Sequence, residues 1–352
     1  MREKIFVVTV TYGDRFYLLK QVIEACLSEG VDKVIVVDNN STENSKQQLK
    51  ALNKTEGRLK VIYLDENTGS AGGYKKGLEE AYNNPNCDYI WLLDDDNVPL
   101  RGALESLLLC WKKINLNNKE KKIVLLSWRK NKEFLQIVSI IKRDLTLILG
   151  KENSFLGFHL IQFPNKVVRL IKRISSRDDI NLEKCLTYLQ NNNIEYGVIP
   201  VAPYGGLFMH KSMIENIGYP NDSFFTYADD HEWTYRITKL GGKIYLCWKS
   251  QIEDIEMSWH MKNKRLSGFN TYLMDGSDLR VYYSIRNRVY FENKNLVSNV
   301  IIYSLNKHVF LFILRILSLI LSKGERFKFI KKAIKDGLNS KLGVISIGGS
   351  EK

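Results

Sequence analysis

Residues 4–12 read KIFVVTVTY and residues 32–41 read DKVIVVDNNS, with RFYLLKQVIEACLSEG between them at 15–30. The outer stretches are continuous β-branched runs, which suit strands covered on both faces. The middle stretch has helical apolar spacing and stops at Gly30. The pattern continues outward. TENSKQQLKALNK (42–54) reads as a helix, LKVIYLDEN (59–67) as a strand and AGGYKKGLEEAYNN (71–84) as a helix. CDYIWLLDDDN (87–97) is a fourth strand that runs into acid. Such alternation predicts an α/β fold built on a doubly wound, mostly parallel sheet. Ligands of these sheets bind beyond the carboxyl ends of the strands. Here those ends carry Asp38, Asp65 and Asp94 to Asp96.

The chain has 352 residues, with 52 Lys and Arg against 39 Asp and Glu, a formal charge of +13. That excess favours an anionic partner such as a phosphate-bearing substrate, an acidic lipid or nucleic acid. No helix-turn-helix, zinc-finger or aromatic RNA-binding signature appears, so no nucleic-acid partner is expected. The five cysteines lie far apart and suggest neither a zinc site nor a disulfide framework. The apolar run after Lys4 is too short for an export signal, and the expected location is cytoplasmic.

Residues 201–245 look globular again: APYGGLFMHKSMIENIGYP suggests strand, turn and helix, and YADDHEW opens a further helix that ends near Gly241. Between the two globular parts lies a segment, 129–195, that reads as an inserted, basic, helix-rich piece. From Arg129 to Arg177 it has eleven basic residues against three acidic ones. Residues 292–352 form a helical C-terminal appendage in which VFLFILRILSLIL is followed by KGERFKFIKKAIKD. An amphipathic helix lying in the membrane interface fits this tail, with a terminal helix packed on the domain as the alternative. Residues 1–291 are expected to hold the catalytic domain.

Three consecutive carboxylates after an apolar strand concentrate charge that a cation would compensate. If the chain stays extended, Asp94 and Asp96 point to one side, and two hard oxygen ligands suit Mg²⁺ or Mn²⁺. The loop NTGSAGGYKKG offers Gly69, Ser70, Ala71, Gly72 and Gly73 at a helix start, where backbone amides can approach a phosphate. Asp38 can accept hydrogen bonds from a base or ribose, or close a turn. Asp229 or Asp230 can serve as a general base, as a helix cap, or as both. His260, in MSWHMK, is chemically reasonable as a third metal ligand, although a lone histidine is more often structural.

In order along the chain, VTVTYGDR, VVDNNST, NTGSAGGYKKG, WLLDDDN, YGGLF, ADDHEW, SWH and YYSIRNRVY resemble the GT-A glycosyltransferases of family 2. Within that family they resemble the galactofuranosyltransferase-like and rhamnosyltransferase-like branch. The resemblance implies a GT-A fold and inverting transfer of a sugar from a nucleotide-sugar donor to a hydroxyl of a glycan. UDP-galactofuranose is the favoured donor, with dTDP-rhamnose or another UDP-hexose as alternatives. Asp38, Thr9 and Tyr12 would line the nucleoside pocket, and Asn67, Gly69, Gly72, Gly73 and Asp95 would lie near the donor. Asp94 and Asp96 would hold the divalent metal with His260. Asp230 would be the base, and Asp229 would contact the acceptor or donor sugar. The acceptor would be a lipid-diphosphate-linked or polymeric surface glycan, met at the inner face of the cell membrane. Nucleotidyl transfer fits less well, because TYGDRF is a poor version of the basic Gly-rich loop that it needs.

Overall fold

The computed structural model describes residues 2–129, 134–162, 182–256 and 269–345. The first third of the chain follows the expected alternation: β1 (Ile5–Gly13), α1 (Phe16–Ser28), β2 (Lys33–Ser41), α2 (Glu43–Thr55), β3 (Leu59–Tyr63), α3 (Gly69–Asn83) and β4 (Tyr89–Leu92). These strands pair in parallel in the order β3-β2-β1-β4. Strand order therefore reverses at β1, and the carboxyl ends of β1, β2 and β4 share one edge, where such sheets bind ligands.

Alternation along β1 sends its side chains to opposite faces. Val8 and Val10 pack with Ile35, Val37 and Leu78 of α3, while Ile5 and Val7 pack with Val34, Val36 and Leu19 of α1. A side chain at Gly73 would come within 2.5 Å of Val10, and one at Gly77 would collide with Val8. Two small residues one helical turn apart let α3 lie close against β1.

The second half of the sheet comprises β5 (Asn97–Pro99), α4 (Ala103–Lys113), β6 (Ile123–Arg129), β7 (Tyr196–Ile199), β8 (Leu207–His210), α8 (Met213–Ile217), α9 (Asp229–Lys239) and β9 (Lys243–Asp254), with α5 (Phe134–Lys142), α6 (Thr146–Leu149) and α7 (Leu182–Asn191) inserted after β6. β8 lies antiparallel between β4 and β6, β6 is parallel to β9, and β5 and β7 run antiparallel to β9. The described strands thus form one nine-stranded sheet, and it is mixed rather than mostly parallel. A parallel neighbour needs a crossover of about a dozen residues or more. β5 and β8 follow short loops and add antiparallel to strands distant in sequence, β5 to β9 and β8 to β4 and β6.

Because β8 runs against β4, the start of β8 reaches the ligand edge. Gly206 donates its N–H to the Leu92 carbonyl at 2.8 Å and accepts from Ser127 at 2.9 Å. The ends of β4, β6 and β9 and the start of β8 therefore meet at one place. Five buried, free cysteines lie in the described regions, and the fold brings two of them together: Cys247 Sγ lies 2.9 Å from Cys110 Sγ.

A third core forms between α10 (Phe269–Met274), α11 (Asp278–Asn295), α12 (Val300–Ile320) and α13 (Gly324–Leu338). Tyr282 and Val289 of α11, Phe310 and Leu314 of α12 and Ile330 of α13 meet there, joined by Phe155 and Phe158 of the insert. Helix α11 runs unbroken through residue 291. Helix α12 buries Tyr303, Phe310, Leu314 and Ser318 on one face. Its other face leaves Ile301 80% and Leu319 70% exposed, with Val300, Leu305, Phe312 and Ile320 also bare. By length and composition alone α12 could cross a membrane. Lys166, Arg169, Lys172, Arg173 and Arg177, the basic end of the insert, lie outside the described residues.

Candidate active site

The acidic stretch after β4 is a turn rather than a continued strand. Asn97 N–H donates to the Asp94 carbonyl at 3.0 Å, and the Asn97 side-chain oxygen accepts from Asp94 N–H at 3.2 Å. These bonds close the chain on itself before β5 begins, so period-two alternation does not govern Asp94 and Asp96. Each carboxylate has its own neighbours. Asp94 is 37% exposed, accepts from the Tyr74 hydroxyl at 2.7 Å, and has Arg129 Nη1 at 3.6 Å. Asp95 is buried and faces inward, where Arg15 donates to it from Nε at 2.9 Å and Nη2 at 2.8 Å and Thr11 Oγ1 donates at 2.8 Å. This two-pronged guanidinium contact ties the turn to the loop after β1. Asp96 accepts from Asn97 Nδ2 at 3.1 Å and lies 4.0 Å from Arg15.

Gly205 explains why the neighbouring loop contains a glycine pair. A side chain there would collide with Asn97 Oδ1 and come within 2.7 Å of Asp94 Oδ2.

At the end of β2, Asp38 is fully buried. Its Oδ1 accepts from Ser41 N–H at 2.8 Å, while Oδ2 has no partner among the described residues. One oxygen therefore closes the turn and the other remains available to a donor group. A buried acceptor rarely stays unpaired. Thr9 is fully buried as well, and its hydroxyl has no partner among the described residues. Tyr12 is 49% exposed, and the Arg15 guanidinium lies 5.2 Å from its ring centroid. Burial raises its phenol above the ordinary value, and the charges of Asp95 and Glu256 add to the rise against Arg15.

The loop before α3 is pinned to β2 by Asn39. Asn39 Nδ2 donates to the Gly69 carbonyl at 2.9 Å, and its Oδ1 accepts from Thr68 N–H at 2.8 Å. Asn67 Oδ1 accepts from Gly69 N–H at 2.9 Å. At Gly69, with φ of +71°, a side chain would collide with the Phe225 carbonyl. Side chains at Gly72 and Gly73 would come within 2.5 Å of Thr68 and Val10. The close approach that these glycines permit in this structure is to the protein's own atoms.

Helix α9 opens with the acidic pair. Asp229 is 3% exposed and accepts from Ser70 Oγ at 2.8 Å. Burial and the neighbouring charge of Asp230 push its carboxyl up to about 7, with the Ser70 hydroxyl opposing. Asp230 is half-buried, and its Oδ1 accepts from His231 N–H at 2.7 Å. Tyr204 lies against Tyr74, with ring centroids 4.1 Å apart, and its phenol is raised by burial and by the charges of Asp229 and Asp230. Tyr74 in turn holds Asp94. The pair Tyr74–Tyr204 thus bridges the two acidic clusters.

Sequence reading did not single out Asn39, Tyr74, Tyr204 or Arg15, and it counted Ser70 only among the small residues of its loop. All five lie within the quoted motifs, which was the signal available. His260 and Trp259 lie outside the described residues. Among the described residues no three His, Cys, Asp or Glu gather as a metal site. Asp94 and Asp96 offer the hard carboxylate oxygens that a divalent cation prefers, and in donor chemistry the pair fits.

Residues 6–153 match the profile of Glycosyl transferase family 2. The chain is 31% identical over 104 residues to the teichuronic acid biosynthesis glycosyltransferase TuaG of Bacillus subtilis, covering 29% of this chain and 39% of that protein. It is 30% identical over 109 residues to the GalNAc(5)-diNAcBac-PP-undecaprenol beta-1,3-glucosyltransferase of Campylobacter jejuni, covering 30% of this chain and 33% of that one. The matched part thus spans little more than a third of these relatives. A crystal structure of GalNAc-T7 with UDP, GalNAc and Mn²⁺ superposes with a TM-score of 0.50 at 12% identity, covering 89% of this chain and 55% of that one. Residues 6–153 are thus similar to family 2 glycosyl transferases, and the chain has the GT-A fold.

Proposed function

We propose that this protein is an inverting glycosyltransferase that moves a sugar from a nucleotide-sugar donor to a hydroxyl of a lipid-linked or polymeric surface glycan. One observation carries the reading: Asp94, Asp229 and Asp230 converge through Tyr74 and Tyr204 at the edge where Asp38 keeps a buried, unpaired oxygen. Asp38 Oδ2 would accept from a base or ribose of the donor, beside Tyr12.

The reaction is a single displacement. Asp230, the half-buried member of the pair, takes the proton of the acceptor hydroxyl as that oxygen bonds to the anomeric carbon. The bond from that carbon to the diphosphate oxygen breaks, and its electron pair leaves with the nucleoside diphosphate. Asp229, whose carboxyl is raised by burial and by the charge of Asp230, would hydrogen-bond a sugar hydroxyl. Asp94 and Asp96, with His260, would hold a divalent cation. When bound, that cation supplies charge neutralisation for the departing diphosphate.

The bare apolar face of α12 and the lysines that follow it would rest on an anionic membrane surface, at the inner face of the cell membrane. UDP-galactofuranose is the donor favoured by the motif resemblance. Nucleoside diphosphate release from a panel of UDP-, dTDP- and GDP-sugars, with and without Mn²⁺, tests both donor and metal. Release from none of them in the presence of glycan acceptors would defeat the proposal.

A further inference from the structure

The loop that delivers Asp229 and Asp230 is held in backbone conformations that side-chain-bearing residues seldom adopt. Phe225, Tyr227 and Ala228 have φ of +66°, +67° and +59°. Phe225, at φ +66° and ψ −68°, is a classical γ-turn closed by Thr226 N–H to the Phe224 carbonyl at 2.8 Å. This turn is the rare, strained form. Strain of this kind persists only where the surroundings over-determine it.

The surroundings here are two adjacent residues of α11. Asn287 Nδ2 donates to the carbonyls of Phe224 at 3.0 Å, Thr226 at 2.8 Å and Tyr227 at 2.8 Å. Arg286 Nη2 donates to the Phe224 carbonyl at 3.0 Å, and its Nε donates to Asn287 Oδ1 at 2.8 Å, fixing which way the amide faces. Both side chains are fully buried. The guanidinium lies 4.8 Å from the ring centroid of Tyr283 and reaches the Gly343 carbonyl at 2.5 Å. Gly343 N–H closes the circle on the Ser223 carbonyl at 2.8 Å. A buried cation spent on backbone carbonyls is a costly device, and its carbonyl targets at Phe224 and Gly343 tie this loop to the segment after α13.

We propose that Arg286 and Asn287 are positioning residues: they hold the 224–228 loop, with Phe225, Tyr227 and Ala228 at positive φ, in the conformation that aims Asp229 and Asp230 at the acceptor. This inference rests on the proposed function for its catalytic meaning, while its structural part stands alone. Helix α11 and the segment at Gly343 thereby help to position the acidic pair.

The test compares wild type, Asn287→Ala, Arg286→Lys, Ala228→Gly and the double variant Asn287→Ala/Ala228→Gly. Asn287→Ala should lower kcat by roughly tenfold to a hundredfold with the donor KM little changed, because the loop orients the base rather than the nucleotide. Arg286→Lys, which keeps the charge and loses the planar fork, should fall between wild type and Asn287→Ala. Glycine at 228 makes φ of +59° easy, so the double variant should recover at least a few-fold of the lost kcat. Amide hydrogen exchange provides a readout independent of activity: Asn287→Ala should accelerate exchange at 225–231 and leave β1 to β4 unchanged. Should Asn287→Ala fail to fold, Arg286→Lys and the double variant carry the same comparison. Equal kcat and exchange in wild type and Asn287→Ala would overturn the proposal, as would a double variant no better than the single one. A wild type without transferase activity but with the expected exchange difference would sink the functional reading and leave the latch intact.

Discussion

Asp229→Asn is the perturbation whose magnitude follows most directly from the structure. The carboxyl rises from its ordinary 3.8 to about 7 because it is buried beside Asp230. The folded protein therefore keeps the proton over a range where the unfolded chain has already released it. At pH below about 4 both states are protonated and the group costs nothing. Between about 4 and about 7 the unfolded state binds fewer protons than the native one, so stability falls as pH rises. Holding the carboxylate in place at pH 8 then costs on the order of 4 kcal/mol relative to a neutral group. Asparagine keeps the shape, can still accept from Ser70, and does not titrate. The variant should match wild type near pH 4 and below and exceed it at pH 8, with a Tm gain of roughly 5 to 10 °C. Thermal unfolding of both proteins across this range isolates the effect, because every other titrating group is common to the pair. A stability difference that stays flat between pH 5 and pH 8 would refute the account of Asp229 as a carboxyl held neutral by its surroundings.

Asp230→Asn should leave donor binding intact by calorimetry and reduce transfer by about 10²-fold or more; retained turnover would move the base elsewhere. Asp96→Ala should abolish the Mn²⁺-dependent part of UDP binding, and an affinity equal to wild type would remove Asp96 from the metal site. Gly69→Ala forces a side chain onto the Phe225 carbonyl at a backbone φ of +71°, so it should lower stability by about 2 kcal/mol or more in chemical denaturation. The pair Ile301→Lys and Leu319→Lys changes two bare positions of α12 and should weaken sedimentation with anionic vesicles while leaving Tm unaltered; binding as strong as wild type would point to the basic insert.

Strands β1, β2 and β4 were legible because strands buried on both faces announce themselves as apolar runs, and the half-buried edge strand β3 was legible from its place in the alternation. The acidic turn was legible in composition and illegible in shape. Nothing local in LDDDN reveals that Asn97 folds the chain back on Asp94, or that Asp95 turns to Arg15 and Thr11. The antiparallel half of the sheet was missed because β5, β7 and β8 are only three or four residues long and pair with strands distant in sequence. Ser70 with Asp229, Gly205 with Asp94, and Asn287 with the 224–228 loop are partners far apart in sequence. Their relation exists only after folding, and a single chain carries no trace of it. The tail showed its apolar stripe plainly, yet α12 turned out to have two apolar faces, one spent on the third core and one left bare.

The hydroxyl of Ser70 reaches from the segment following β3 to a carboxylate on α9. Because it lowers the proton affinity of Asp229, whatever shifts residues 67–70 also retunes the charge of a group on the far wall. Arrival of one substrate at that segment would then be sensed electrostatically where the other must dock. Occupancy there and ionisation at Asp229 would then be linked through one hydroxyl.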